Sequence, residues 1–182
     1  MPGQHEQDPA SVLVRRALEE HESSLIAYTA GILAGDVERA REVVQDAFLR
    51  LYQADTEKVQ ENAKAWLYTV CRNRALDVLR KVQRLDLGND ELIAAAPSQE
   101  PDPASAADTR ELSRHAWELL DRLSENQREV IRLKFLHDCS YQEIANITGL
   151  GTGNVGFLMH TGLKKLRQLM ERTLADSPHF PL

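Results

Sequence analysis

The sequence predicts an all-α protein built from two small helical domains that are joined by a flexible linker. Apolar residues recur at three- and four-residue spacing through most of the 182 residues, and no segment alternates with the two-residue period of a β-strand. Residues 87–109 interrupt this periodicity with a stretch rich in Ala, Pro, Ser and acidic residues. Such a composition cannot bury a core, so we expect an extended acidic linker there.

The chain begins with a polar segment, residues 1–10, that we expect to be disordered. Asp8-Pro9 combines a capping side chain with a proline suited to a first helical turn, which predicts a helix running to about Glu20. A second apolar set predicts another helix over residues 25–35, where a glycine ends the pattern.

Two further helices are expected in this half. Asp36 can cap a helix over residues 37–52, in which apolar residues fall on one face and charged residues on the other. A polar loop over residues 55–61 is expected next. Asn62 can then cap a fourth helix, residues 63–84, whose first turns are apolar and aromatic and whose later turns are basic.

The basic part of the fourth helix has two interpretations. Guanidinium groups along one helix can neutralise phosphates while neighbouring aromatic rings stack on exposed bases. Alternatively, this is a solvated face on which Asp77 bridges cations at helical spacing. Composition alone leaves both interpretations open for the five cations of this stretch, Arg72, Arg74, Arg80, Lys81 and Arg84.

The second half is expected to begin near Arg110 with a helix whose leucines continue to position 123. Residues 124–127, SENQ, form a capping box, in which the Ser and Gln side chains each satisfy a backbone N–H. This box predicts a helix to about Phe135.

A pair of short helices follows. A second capping box at Ser140 and Glu143 opens a helix that Gly149 is expected to end, because glycine readily takes the left-handed conformation. Another helix starts at Thr152 or the next residue and runs to about Leu174. Two helices joined by a tight glycine turn are the signature of a helix-turn-helix. The alternative is an ordinary helical hairpin inside a bundle.

Composition argues against several classes of function. The net charge of -6 means that any nucleic-acid binding must use local basic patches. Cys71 and Cys139 lie far apart, which favours reduced thiols in a cytoplasmic protein, and the six histidines show no metal-binding spacing. We expect no membrane insertion, because no apolar run approaches roughly 20 residues, and no signal peptide. No catalytic constellation is visible, so we expect neither an enzyme nor a cofactor.

Taken together, several phrases resemble the bacterial RNA polymerase sigma factors of the small, two-domain extracytoplasmic-function (ECF) type. In the first half they are VVQDAFLRLY and WLYTVCRNRALDVLR, and in the second half they are LSENQREVIRLKF, SYQEIANITGL and LKKLR. Each phrase is moderately specific, whereas their occurrence in this order over residues 12–172 is highly specific.

The resemblance implies a transcription initiation factor that is not an enzyme. Such factors dock on core RNA polymerase, at the clamp helices of its largest subunit and at its flap region, recognise promoter DNA and help to open the duplex. A region-2 domain, residues 11–86, would read and melt the minus-ten element, and a region-4 domain, residues 110–174, would read the minus-thirty-five element. The linker, residues 87–109, would thread through the polymerase, and residues 175–182 would form a tail. Family members are often held inactive by an anti-sigma factor.

The third helix resembles the polymerase-docking helix of the family. The exposed face that the resemblance assigns to docking consists of Gln45, Asp46, Leu49 and Arg50. The family usually has Ala-Glu-Asp shortly before the Gln, whereas this chain has Ala40-Arg41-Glu42. One carboxylate is therefore kept and the other is replaced by a positive charge.

The fourth helix resembles the element that recognises and melts minus-ten DNA. Trp66 matches an aromatic position that more often belongs to the core, and Asp77 is expected to orient neighbouring arginines. A base flipped out of the duplex is expected near residues 61–64. The resemblance assigns DNA contact to Lys64, Tyr68, Arg72, Asn73, Arg74, Arg80, Lys81 and Arg84.

The helix after the glycine turn departs most from the family, which commonly has basic residues at the places of Gly156, Leu158 and Thr161. Three interpretations stay open. The helix reads DNA with a different code, or upstream reading is weak and a protein contact compensates, or the domain binds protein. In the first interpretation, in which the helix reads DNA, Asn154 pairs with adenine and Phe157 contacts thymine methyl groups. The expected minus-thirty-five contacts are Thr152, Asn154, Phe157, His160, Thr161, Lys164 and Lys165.

Three functions therefore compete: a promoter-specificity factor for RNA polymerase, a stand-alone helix-turn-helix regulator, and a protein-interaction adaptor with a sigma-like fold. The docking helix favours the first, because a simple regulator has no use for the exposed docking face.

Overall fold

The computed structural model describes residues 8–86 and 118–176, and the chain divides into two compact units, Met1–Gln99 and Glu100–Leu182. The described residues are mostly helical and contain no β-strand, which confirms the all-α prediction. Most of the expected lead-in, the linker, the expected helix start near Arg110 and the end of the tail lie outside the described residues.

The first unit contains α1 (Pro9–Ile32), α2 (Val37–Gln53), the one-turn α3 (Thr56–Val59), a 3-10 turn (Gln60–Asn62) and α4 (Ala63–Asp86). Two predicted caps are confirmed, since a short polar side chain at each helix start satisfies a backbone N–H. Asp8 accepts a hydrogen bond from the N–H of Ala10, and Asp36 accepts one from the N–H of Arg39.

Helix α1 corrects the prediction of two separate N-terminal helices. The expected break between Glu20 and Leu25 is wrong, because that interval contains neither Gly nor Pro. The buried residues Ala17, Leu25 and Tyr28 stay in phase on one face of a continuous helix. The turn after α1 contains Gly35 with a φ of 90°, which glycine adopts without strain.

The segment before α4 corrects the prediction of a polar loop. Val59 is buried and gives the segment an apolar anchor, while Lys58 pairs with Asp55 at 2.9 Å. Residues 56–62 are therefore wound into α3 and the 3-10 turn. Asn62 belongs to that turn, which runs directly into α4, so Asn62 is not the free cap that was expected.

The core of the first unit lies where α1, α2 and α4 pack together. The rings of Tyr28 and Tyr68 lie 5.1 Å apart between centroids and are tilted by 57°, a favourable arrangement for aromatic pairs. Burial raises the pKa of the Cys71 thiol to about 12, so this thiol stays neutral. The largest fully buried side chains include Leu25, Val44, Leu51, Leu67 and Tyr68.

The second unit contains α5 (Glu125–Phe135), α6 (Tyr141–Thr148) and α7 (Thr152–Asp176), and residues 118–121 are helical. Both predicted capping boxes are confirmed. The Ser124 hydroxyl accepts from the Gln127 N–H at 3.4 Å, and the Gln127 side chain accepts from the Ser124 N–H at 3.3 Å. The Ser140 and Glu143 pair is arranged in the same way, at 3.2 Å and 2.7 Å.

The turn between α6 and α7 has the predicted conformation. Gly149 has a φ of 74°, and its N–H donates to the Ala145 carbonyl at 2.9 Å. The helix-turn-helix geometry expected from this turn is therefore present. The side chains that pack α5, α6 and α7 together are fully buried, and they include Val130, Leu133, Ile144, Ile147 and Val155.

Two glycines inside α7 have different surroundings. A Cβ at Gly162 would lie 2.8 Å from Cδ1 of Ile131 and 3.4 Å from Cβ of Gln127, so α5 approaches α7 closely at this position. A Cβ at Gly156 would lie 3.9 Å from Cε2 of Tyr141, an ordinary van der Waals contact. The fold therefore explains a glycine at position 162 but does not require one at position 156.

We expect the corresponding alanine substitutions to differ in stability. Replacing a helical Gly by Ala stabilises a helix by about 1 kcal/mol, so Gly156→Ala should raise the free energy of unfolding by about that amount. Gly162→Ala should show no gain or a loss, because crowding a packed core costs about 1–3 kcal/mol. Urea unfolding followed by circular dichroism would measure both. Equal stabilisation by the two variants would contradict the close approach at Gly162.

Candidate functional site

The outward face of α2 carries the four residues expected to dock on polymerase. Helical periodicity turns Val44, Ala47, Phe48 and Leu51 into the core. The alternate positions Gln45, Leu49 and Arg50 are exposed, and Leu49 keeps 63% of its surface accessible. This leaves an apolar side chain in the middle of a polar, solvent-facing stripe.

Asp46 differs from its neighbours because it is only partly exposed and links two helices. Its carboxylate lies 3.0 Å from Nε of Arg50 on the same helix and 3.8 Å from Nε of Arg74 on α4. Both contacts are ion pairs, and the closer one lacks hydrogen-bond geometry. Asp46 therefore joins the expected docking face to the expected DNA-binding helix, a connection that sequence spacing could not reveal.

The departure from the family pattern also lies on the outside of α2. Arg41 and Glu42 are exposed, and Nε of Arg41 lies 3.8 Å from a carboxylate oxygen of Glu38 one turn earlier. The reversed charge at position 41 is therefore partly balanced within the helix itself.

The basic stretch of α4 combines exposed and partly buried cations. Asn73, Arg80, Lys81 and Arg84 are exposed, whereas Arg72 and Arg74 are half-buried. Asp77 pairs with Arg80 at 2.8 Å, and Nε of Arg84 donates to the Arg80 carbonyl at 3.3 Å. The bridging by Asp77 that helical spacing suggested is present, and it engages Arg80.

The aromatic residues at the start of α4 correct one expectation. The prediction that Tyr68 contacts DNA is wrong in this fold, because its side chain is 1% exposed and its ring packs on Tyr28. Trp66 and Lys64 are half-buried. Tyr68 was chosen for its ring, but its position in the helical repeat places that ring in the core.

The outward face of α7 brings together four of the expected upstream contacts. Asn154, Phe157, His160 and Lys164 follow one another at helical spacing and are exposed, as is Thr152 at the helix start. The inward face buries Val155, Met159 and Gly162.

Two other expected upstream contacts make side-chain hydrogen bonds within the second unit, although Lys165 is exposed. The Thr161 hydroxyl accepts from Nε2 of Gln127 at 3.1 Å and donates to the Phe157 carbonyl at 2.9 Å. Nζ of Lys165 donates to the Arg122 carbonyl at 2.5 Å. Their partners lie 34 and 43 residues away in sequence, so no local pattern could have identified these bonds.

Tyr141 is a surface residue that the sequence did not single out. Its side chain is 44% exposed at the first position of α6, and its Cε2 lies beside the backbone of Gly156 on α7. A Cβ at position 156 would touch this ring at an ordinary contact distance of 3.9 Å. The sequence signal for this contact is Gly156, an interior helical glycine for which the sequence alone offers no structural reason.

Within residues 8–86 and 118–176, no cluster of His, Cys, Asp and Glu is suited to a metal ion. In the same residues, no helix is long and apolar enough to cross a membrane.

Two family models match the chain in order. The model for sigma-70 region 2 matches residues 18–85, and a model for sigma-70 region 4 matches residues 114–166. The first match contains the docking face and α4, and the second contains the helix-turn-helix.

Individual proteins give the same result. The ECF RNA polymerase sigma factor SigL of Mycobacterium tuberculosis is 31% identical over 167 residues, which cover 88% of this chain and 90% of SigL. The sigma factor SigV of Bacillus subtilis is 30% identical over 138 residues, covering 75% and 79% of the two chains. The fold is similar to that of the sigma factor RpoE from Bartonella quintana, solved with the anti-sigma factor NepR. That match has a TM-score of 0.67 and 23% identity over 86% of this chain and 96% of RpoE.

Both sigma regions occur in sequence order and relatives match over most of their length, so this chain belongs to the ECF family of bacterial RNA polymerase sigma factors.

Proposed function

We propose that this sigma factor binds core RNA polymerase through the outward face of α2, contacts the minus-ten element through α4 and reads the minus-thirty-five element through α7. Residues 11–86 carry the first two roles, residues 110–174 carry the third, residues 87–109 link them and residues 175–182 form the tail. The factor aids duplex opening by binding and catalyses no reaction. The observation that carries this proposal is an exposed polar face around Leu49 in the chain segment that matches region 2, followed by a helix-turn-helix in the segment that matches region 4.

The α2 surface suits a protein partner. Leu49 is exposed between Gln45 and Arg50, and an exposed apolar side chain among polar neighbours gains free energy when a partner covers it. Apolar anchors ringed by polar contacts are typical of binding hot spots. The clamp helices of the polymerase are the proposed partner, and the flap region is the proposed partner of the second unit.

The α4 surface suits DNA. Lys81 and Arg84 are exposed on the same helix as Arg80. The Arg80–Asp77 pair is exposed on both sides, with 61% and 51% of the side-chain surface accessible. Such pairs contribute little to stability, so a phosphate can compete with Asp77 for Arg80.

Regulation and location follow from the same assignment. RpoE of Bartonella quintana and CnrH were solved with the anti-sigma factor NepR and with the cytosolic domain of CnrY, respectively. We propose that an anti-sigma factor also controls this chain. We propose a cytoplasmic location, because the polymerase and the promoter DNA are there.

Reconstitution of the full chain with core polymerase tests the function directly. The expected result is a stable holoenzyme that starts transcripts at a defined set of promoters, identified by sequencing RNA 5′ ends. Failure to bind core polymerase while binding DNA would favour a stand-alone regulator. Core binding without promoter-specific initiation would favour an adaptor, and either outcome overturns the proposal.

Leu49→Ala should weaken core binding without unfolding the chain. Loss of an apolar anchor from an interface hot spot typically costs more than 1 kcal/mol, so we expect the Kd for core polymerase to rise about tenfold. Fluorescence titration of labelled chain with core enzyme measures the Kd. Val12→Ala is a matched control, because Val12 is an exposed apolar residue on α1. Equal affinity of the Leu49 variant and the wild type would rule out the α2 face as the docking surface.

Arg80→Ala combined with Lys81→Ala should reduce the salt dependence of promoter binding by the holoenzyme. Each lost phosphate contact lowers the slope of log K against log salt by about 1, so a decrease of about 2 is expected. Arg15→Ala with Arg16→Ala removes two exposed charges from α1 and should leave the slope unchanged. An unchanged slope for the α4 variant would instead mean that Arg80 and Lys81 face solvent in the complex.

A further inference from the structure

The helix-turn-helix carries almost no charge where it would meet DNA. Residues 141–163 contain no Lys and no Arg. The carboxylate of Glu143 is taken up by the capping box. Binding to the DNA backbone draws its affinity from cations that neutralise phosphates, and this stretch supplies none. If residues 141–163 read DNA, their own contribution to affinity comes from contacts with base edges, and the nearest exposed cation on this face is Lys164.

Gly156 indicates that this face is kept open toward the outside. A Cβ there would meet only Tyr141 at an ordinary contact distance, so packing within the protein does not require the glycine. The other buried or half-buried glycine of α7, Gly162, is required by its closeness to Ile131. An interior helical glycine weakens a helix, and with glycine at position 156 the Cε2 edge of the Tyr141 ring lacks the contact that a Cβ would make.

The side chains around Gly156 are neutral and suited to A·T base pairs. Phe157 is 65% exposed, and Asn154 is exposed one turn earlier on the same face. In the major groove the thymine methyl is the apolar group that aromatic and aliphatic side chains contact, and Asn pairs with N6 and N7 of adenine. Guanine is usually read by Arg or Lys, and residues 141–163 contain neither.

We propose that Phe157 and Tyr141 form an aromatic surface that contacts thymine methyl groups of the minus-thirty-five element, with Asn154 pairing to an adjacent adenine. The inference rests on the proposed function, because it assigns the base class that this promoter-reading module selects. Thr161 and Lys165 have no part in it, since their side chains are bonded to Gln127 and to the Arg122 carbonyl. The upstream element is therefore A·T-rich and read without a guanine contact.

Replacement of thymine by deoxyuridine tests this inference, because it removes only the 5-methyl group and keeps base pairing. Promoters identified with the holoenzyme would be made with deoxyuridine at single upstream positions. For wild-type holoenzyme, affinity should fall about fourfold at each thymine that is read, as expected for one methyl-sized group leaving an apolar contact. Deoxyuridine in the minus-ten element is an internal reference, since α7 does not read that element.

Substitutions assign the effect to the two rings. The measured quantity is the ratio of the affinities for the thymine and the deoxyuridine promoter. Phe157→Ala should bring this ratio to one at a position where the wild type distinguishes the two promoters, and Tyr141→Ala should reduce it. Phe135→Ala is the matched control, because Phe135 is 63% exposed on α5 and outside the helix-turn-helix surface. It should keep the wild-type ratio whatever its absolute affinity. Thermal unfolding of each variant, followed by circular dichroism, checks that the substitutions at these exposed positions do not alter folding.

The outcomes separate this inference from the proposed function. Promoter-specific initiation with no upstream sensitivity to deoxyuridine overturns the methyl contact and leaves the sigma function standing. A Phe157 variant that loses activity equally on both promoters assigns the ring to a protein partner and also overturns the inference. Absence of promoter-specific initiation by the wild type overturns the proposed function and this inference together.

Discussion

Each helix in these two small units must bury one stripe of apolar side chains and expose the opposite face. This amphipathic constraint decides where every candidate functional residue lies. In α2, burial of Val44 and Leu51 at helical spacing leaves Leu49 in solvent. In α7, burial of Val155 in the same manner turns Phe157 outward. The proposed binding surfaces are thus the faces that core formation leaves free, and a shift of one residue in either helix would rotate its buried stripe by about 100°.

Local signals in the sequence were sufficient for most of the fold. The caps at Asp36, Ser124 and Ser140 and the turn at Gly149 depend on bonds within three or four residues, so the sequence contains all that determines them. Most errors arose where longer-range packing decides. The winding of residues 56–62 depends on the burial of Val59, and the position of Tyr68 depends on its contact with the α1 ring. The hydrogen bonds of Thr161 and Lys165 could not be predicted for the same reason, since their partners are distant in sequence. The continuity of α1 was readable from the absence of Gly and Pro between Glu20 and Leu25, and that signal was missed.

The two units differ in the forces available for binding DNA. Helix α4 exposes several cations, so counterion release favours its contact with a phosphate backbone and weakens as salt increases. From α6 to the middle of α7 the surface offers an amide, a hydroxyl and aromatic rings, whose contacts respond little to ionic strength. In a chain with net charge -6, the exposed cations of the second unit's long helix begin only at Lys164, after the neutral stretch.

The Asp46 carboxylate between Arg50 and Arg74 has a consequence for how the first unit responds to its partners. One negative charge is shared by a cation of the docking face and a cation of the basic helix. A partner that draws Arg50 into a new ion pair would leave that charge to Arg74 alone, and a phosphate that draws Arg74 away would return it to Arg50. If both surfaces bind as proposed, their occupancy would be coupled through this one side chain, and such a coupling acts equally in both directions.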